Sequence, residues 1–187
     1  MANKPNILFF HVDNLGMGEL GCYGGGKLRG ADTKRIDAFS KQGAKLTHYV
    51  VEPQCTPTRS ALMTGRFPIR SGNHTIALGG NAGGIVKWER TIATILAEAG
   101  YTSSIMGKWH IGAEDGRWPT DHGFDEWYGF LGRGAHDYFD LAGKDPENHP
   151  MYRNGREIKD EYAQASCRTR SEEHTSELQS QFRISYA

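Results

Sequence analysis

Pro5-Asn6-Ile7-Leu8-Phe9-Phe10-His11-Val12, followed at once by Asp13-Asn14, is the stretch from which the fold reads. Residues 5–12 are apolar without alternation, the pattern of a parallel strand buried on both faces. In open α/β sheets, ligands gather beyond the carboxyl ends of the strands, so Asp13 and Asn14 stand where site residues belong. Their hard oxygens suit Ca2+ or Mg2+. The same pair also reads as an Asx-type turn that does no more than end the strand.

Further along the chain, strand and helix patterns alternate. Thr33 to Gln42 places Ile36 and Phe39 on one helix face, with Thr33 as cap and Gly43 as stop. Ala44 to Val51 reads as a second strand. Thr91 to Ala99 carries Ile92, Ile95, Leu96 and Ala99 along one helix face and is closed by Gly100, after which Tyr101 to Met106 reads as a third strand. This order predicts an α/β fold, a mostly parallel, doubly wound sheet flanked by helices. Asn154-Gly155 marks a hairpin turn within Tyr152 to Glu157. Gly24-Gly25-Gly26 lacks the lysine and hydroxyl residue of a phosphate loop and reads as a plain loop.

The second strand delivers the chain to Cys55-Thr56-Pro57-Thr58-Arg59-Ser60-Ala61-Leu62-Met63-Thr64-Gly65-Arg66. Thr56 reads as an N-cap and Pro57 as the first helical residue, which sets Cys55 just ahead of a helix N-terminus, where free N–H groups and the dipole favour an anion. Arg59, one turn on, adds a permanent cation with forked donors. Lys108 and His110, two apart after the third strand, face one side in extended chain, as an anion receptor needs; a strand edge with a solvated lysine and a packed histidine gives the same spacing. His74, in a glycine-rich stretch with Asn73 and Asn81, reads either as a solvated loop residue or as a substrate contact.

The totals narrow the function classes. Lys+Arg and Asp+Glu are both 22 in 187 residues, which gives no support for nucleic acid or an anionic membrane as the partner. The three cysteines, Cys22, Cys55 and Cys167, have no metal-type spacing and cannot all pair internally. Ile7 to Phe10 is the longest apolar run, far short of a span, and no signal core precedes it, so the chain as written reads as cytoplasmic; a leader outside it would make the parent exported.

CTPTRSALMTGR resembles the signature of the sulfatase family, within the alkaline-phosphatase-like superfamily. In that family the motif's cysteine is oxidised to formylglycine, whose hydrated aldehyde is the nucleophile, and the carry-over falls on Cys55. The family holds its divalent metal, usually Ca2+, on an acidic pair at the position of Asp13 and Asn14, and the resemblance implies Cys55, as formylglycine, as a further metal residue. Asn14 departs from the second Asp common there and withdraws one negative charge. GKWHIG, from Gly107 to Gly112, resembles the second signature, whose lysine and histidine hold sulfate oxygens; the roles fall on Lys108 and His110. Pro119 to Phe130 (PTDHGFDEWYGF) resembles the segment that follows, its Phe124, Trp127, Tyr128 and Phe130 packing a loop on the core. His136, Asp137 and Tyr138 carry no assigned role.

The resemblance runs from about residue 5 to 166 and implies the amino-terminal part of a longer, alkaline-phosphatase-like catalytic domain. It implies a sulfuric ester hydrolase in which Cys55, Arg59, Lys108 and His110 are catalytic. The implied partners are a small-molecule or carbohydrate sulfate ester and a formylglycine-generating maturation enzyme. A phosphonate monoester or phosphodiester hydrolase of the same superfamily is the alternative, and a non-catalytic fragment with Cys55 still a thiol is the third reading. The family's later metal pair, histidine and lysine have no counterpart after His110, so a truncated sheet with an exposed edge, apolar surface and little turnover is expected. Residues 167–187 read as a non-native tail, because Arg170 to Ser180 resembles a translated sequencing adapter and shows no apolar period.

Overall fold

The computed structural model describes residues 4–25, 32–76, 83–132 and 151–158 and the backbone of 180–186. Asn81, His136, Asp137, Tyr138 and Cys167 lie outside the described residues. Two compact units form, one taking the chain up to Asp13 and from Glu52 onward, the other Asn14–Val51.

The first unit is built on a sheet. Strand β1 is Ile7–His11, and after helices α2 (Cys55–Thr64), α3 (Pro68–Ser71) and α4 (Ile92–Glu98) come β2 (Tyr101–Lys108), β3 (Glu126–Phe130), β4 (Met151–Arg153), β5 (Arg156–Ile158) and β6 (Ser180–Tyr186). The spatial order is β1-β6-β2-β3-β4-β5. β2 and β3 pair in parallel, while β6 runs antiparallel to both β1 and β2. β1, β2 and β3 therefore point the same way and end on the same edge. The architecture is an α/β mixed sheet with flanking helices, since β3–β4 and β4–β5 also pair antiparallel beside the parallel β2–β3 pair.

The helices follow their signals with small shifts. Thr91 caps α4, accepting from Thr94 N at 3.3 Å while the Thr94 hydroxyl accepts from Thr91 N at 2.9 Å. Ala93 is the buried residue of this helix, with Ile92 and Leu96 packed behind it, whereas Ile95 is 52% exposed. α2 begins two residues earlier than its cap signal predicts, with Gln54 at the cap position and Cys55 as the first helical residue. Thr56 is therefore the second helical residue and not the cap, and its hydroxyl donates to the carbonyl of His110. Gly65 ends α2 in the left-handed region at φ 67°, as its sequence position predicts.

The core gathers Met63, Ile85, Ala93, Ile105, Trp109, Ile111, Phe124, Trp127 and Leu131. The 119–130 segment packs as expected: Trp109 meets Phe124 edge-on at 6.1 Å, and Trp127 stacks on Tyr152 at 5.7 Å. The hairpin β4–β5 turns at Asn154 (φ 47°) and Gly155 (φ 82°), the two positive values that such a two-residue turn requires.

Three expectations are corrected. β1 is not buried on both faces: Leu8 and Phe10 are 56% and 52% exposed, because among the described residues nothing covers them. Ala44–Val51, in the second unit, forms no strand; Leu46, Tyr49, Val50 and Val51 are exposed. That stretch is tied instead by the Lys45 ammonium donating to Cys22 O at 2.7 Å and the Tyr23 hydroxyl donating to Leu46 O at 2.9 Å. The tail does supply an element, β6, because the polar adapter-like stretch gives way to Phe182, Ile184 and Tyr186 at the period of a strand. In the second unit α1 spans Lys34–Ser40, and Thr33 before it turns its hydroxyl to Asp37 Oδ1 at 3.0 Å instead of capping.

Candidate active site

The sheet sets three of the candidate residues together. Asp13 lies two residues past the end of β1, Lys108 is the last residue of β2, and Arg59 stands one turn into α2. The Lys108 ammonium donates to Asp13 Oδ2 at 2.8 Å, and the Arg59 guanidinium donates to the same oxygen from Nη2 at 3.2 Å. Arg59 Nη1 donates to the carbonyl of Lys108 at 2.6 Å, which clamps α2 against the end of β2. All three side chains are buried.

One carboxylate between two cations leaves a surplus positive charge in a low-dielectric place. Burial pushes the Asp13 carboxyl up, but Lys108 and then Arg59 outweigh it and hold Asp13 below the usual carboxylate range. Burial pulls the Arg59 guanidinium down while Asp13 pulls it up, and it stays a cation.

Cys55, half-buried and a free thiol, opens α2 with Arg59 four residues on, on the same face. His110 is not extended from Lys108. Its φ is 56°, its N–H donates to Leu131 O at 2.8 Å and its carbonyl accepts from the Thr56 hydroxyl at 2.9 Å. The expectation of an extended chain from Lys108 to His110 is thereby corrected at His110, which takes a left-handed turn. His74 is exposed. Asn14, with φ 61°, begins the second unit.

Two residues escaped the sequence reading. Thr56 ties the helix that carries Cys55 to the turn that carries His110, a role its appearance as a cap concealed. His11, with Arg59 and Lys108, lines a small cavity. Burial, then Arg59, lower its imidazole to about 4, so it is neutral at pH 7. An imidazole inside an otherwise apolar strand was the available signal.

The family model described as Sulfatase matches residues 5–173. The chain belongs to the sulfatase family. This sulfatase chain is 44% identical over 141 residues to arylsulfatase D of Homo sapiens, an alignment covering 68% of this chain and 23% of that protein. It is 39% identical to the human steryl-sulfatase, covering 68% and 24%, and 41% identical to the human N-acetylgalactosamine-6-sulfatase, covering 67% and 25%. It thus spans about a quarter of the length of these curated relatives. Among solved structures it is similar to Ps i-CgsB, with a TM-score of 0.72 and 34% identity over 84% of this chain and 38% of that one. The same protein solved in complex with k-i-k-neocarrahexaose gives 0.69 and 32%, over 79% and 36%.

A divalent metal is the cofactor the family implies. Asp13 offers the hard oxygen such an ion takes, and its Oδ2 already bears Lys108 and Arg59. Among the described residues no three His, Cys, Asp or Glu side chains converge on one point. The donor chemistry of Asp13 fits a metal as one ligand of a larger set.

Proposed function

We propose that the complete protein is a sulfuric ester hydrolase acting on a small-molecule or carbohydrate sulfate ester, with Cys55 converted to formylglycine by a maturation enzyme. The observation that carries this reading is the convergence of Arg59 and Lys108 beside the helix that opens on Cys55. When present, formylglycine 55 supplies an attacking hydroxyl, and a Ca2+ or Mg2+ held partly by Asp13, with Asn14 next in sequence, supplies polarisation of the sulfate group.

This chain's own residues supply the rest. Arg59 and Lys108 are fixed cations whose positions do not have to reorganise as charge grows on the sulfate oxygens, which is how electrostatic stabilisation lowers a barrier. His110, two residues after Lys108 on a turn pinned at both its N–H and its carbonyl, would hold a sulfate oxygen or donate a proton to the leaving alcohol. Asp13 accepts from both cations and so orients them. This chain alone is expected to turn over little substrate, because Asp13 and Asn14 make an incomplete metal set.

The test is peptide mass analysis of Leu46–Arg59 from a host with the maturation enzyme, followed by assay of the complete protein on an aryl sulfate and an aryl phosphonate. A formylglycine peptide with faster sulfate hydrolysis is the expected result. An unmodified thiol, or faster phosphonate hydrolysis, would overturn the assignment.

A further inference from the structure

β6 holds a place that its sequence does not account for. It lies between β1 and β2, pairing Ser180 with His11 and Gly107, Phe182 with Phe9 and Ile105, and Ile184 with Ile7 and Ser103. Among the described residues β1 has no other strand partner. Among the described residues, the backbone ladder between the strand that leads to Asp13 and the strand that ends at Lys108 therefore runs through β6. Yet the family match stops at residue 173, before β6 begins, and the matched relatives are about four times as long as the part covered.

An inner strand directs its N–H and C=O groups to its two neighbours in turn, so β6 satisfies a row of backbone groups on each side. Without it, β1 and the facing side of β2 would each present an unpaired edge. Recognition of this kind rests on main-chain hydrogen bonds and tolerates many sequences.

We propose that β1 and β2 enclose a strand-acceptor groove whose ligand is an extended peptide segment pairing with both edges. Residues 180–186 fill it here from outside the family sequence, in place of a strand supplied by the part of the sulfatase domain that this chain does not span. The groove's upper end is the candidate active site, since Ser180 stands opposite His11 and Gly107, one residue short of Lys108 and two short of Asp13. Whatever fills the groove sets the spacing of these two residues, and this holds whether or not the protein hydrolyses sulfate.

Hydrogen exchange read by mass spectrometry tests this on three samples: the full chain, its Phe182→Pro/Arg183→Pro variant, and that variant with a synthetic peptide of residues 180–186. Consecutive prolines remove one donor toward each neighbour. In the full chain, 7–11 and 180–186 are expected to exchange at least tenfold more slowly than unstructured peptide. The variant is expected to lose protection over 7–11, keep it over 126–130, and regain it with the peptide. Fast exchange over 180–186 in the unsubstituted chain, or protection of 7–11 that survives the prolines, would overturn the proposal. Should the variant lose protection throughout, a Leu8→Cys/Arg183→Cys pair decides, made in the full chain with Cys22→Ser, Cys55→Ser and Cys167→Ser. These two positions are register partners, and opposite residues lie about 4.5–5.5 Å apart, within disulfide reach. Failure to cross-link under mild oxidation would equally overturn it.

Discussion

Lys108 and Asp13 lie 95 residues apart in sequence and meet at 2.8 Å between Nζ and Oδ2, each side chain less than a tenth exposed. Arg59 reaches the same oxygen at 3.2 Å. Breaking a buried pair costs more than the pair itself contributes, because an uncompensated charge is left in the interior. Asp13→Asn leaves two. We expect it to lower unfolding stability by about 3–5 kcal/mol, and Asp13→Asn/Lys108→Met to recover part of that loss. Urea titrations of the three chains measure it, and an Asp13→Asn midpoint equal to the unsubstituted one would show that the triad carries no net stability.

Acid should destabilise this chain in two windows. His11 has an ordinary value of 6.5 and a folded value of about 4, so as pH falls the unfolded chain takes up the proton first. Stability from the neutral imidazole is complete above about pH 6.5 and drains away down to about 4, a loss on the order of 3 kcal/mol. Asp13 is held below its ordinary value, so its contribution is present above about pH 4 and disappears as pH falls through the lower folded value. In urea midpoints followed against pH, His11→Leu should flatten the upper window and leave the lower one. A slope between pH 6.5 and 4 that survives the substitution would assign it to other groups.

Much of this was legible from local rules. The strands read over residues 5–12 and from Tyr101, the stop at Gly65, the helix read from Thr91 and the turn at Asn154-Gly155 each follow from local sequence, with strand and helix ends shifted by one or two residues. Where tertiary bonds compete, local rules fail. Thr56 has the chemistry of a cap, but the helix starts ahead of it at Cys55 and its hydroxyl donates to His110 O; Ala44–Val51 has the composition of a strand but finds no ladder among the described residues. Spacing also placed Lys108 and His110 on one face, because it assumes an extended backbone that a left-handed His110 does not have. β6 was hidden for another reason: a polar, foreign-looking stretch precedes it, and its only signal is an alternation of three residues.

Gly129 should resist any side chain. It faces Gly107 in the parallel pair, and a Cβ built on it would lie 1.9 Å from the Gly107 carbonyl oxygen. That oxygen is backbone and cannot swing aside. Overpacking of this kind costs about 1–3 kcal/mol where the surroundings yield and more where they do not. Gly129→Ala is therefore expected to shift β3 away from β2 and lower the thermal midpoint by several degrees, whereas Gly43→Ala, with open space at its Cβ, should leave it unchanged. Equal midpoints for the two variants would show that the strands separate without cost.

Thr56 is expected to act on the site through His110. A non-glycine residue in the left-handed region costs on the order of 1 kcal/mol, and His110 is kept there by its N–H on Leu131 O and its carbonyl under the Thr56 hydroxyl. Thr56→Val preserves shape and removes only the donor, leaving that carbonyl short of a partner, a loss of about 1 kcal/mol. Thr56→Ser keeps the hydroxyl and should keep the turn. In the complete sulfatase the valine variant should lose about tenfold in kcat, the equivalent of about 1.4 kcal/mol, with KM little changed, while the serine variant stays near the unsubstituted rate. If serine fails as badly as valine, the methyl group's packing matters and the hydrogen bond does not.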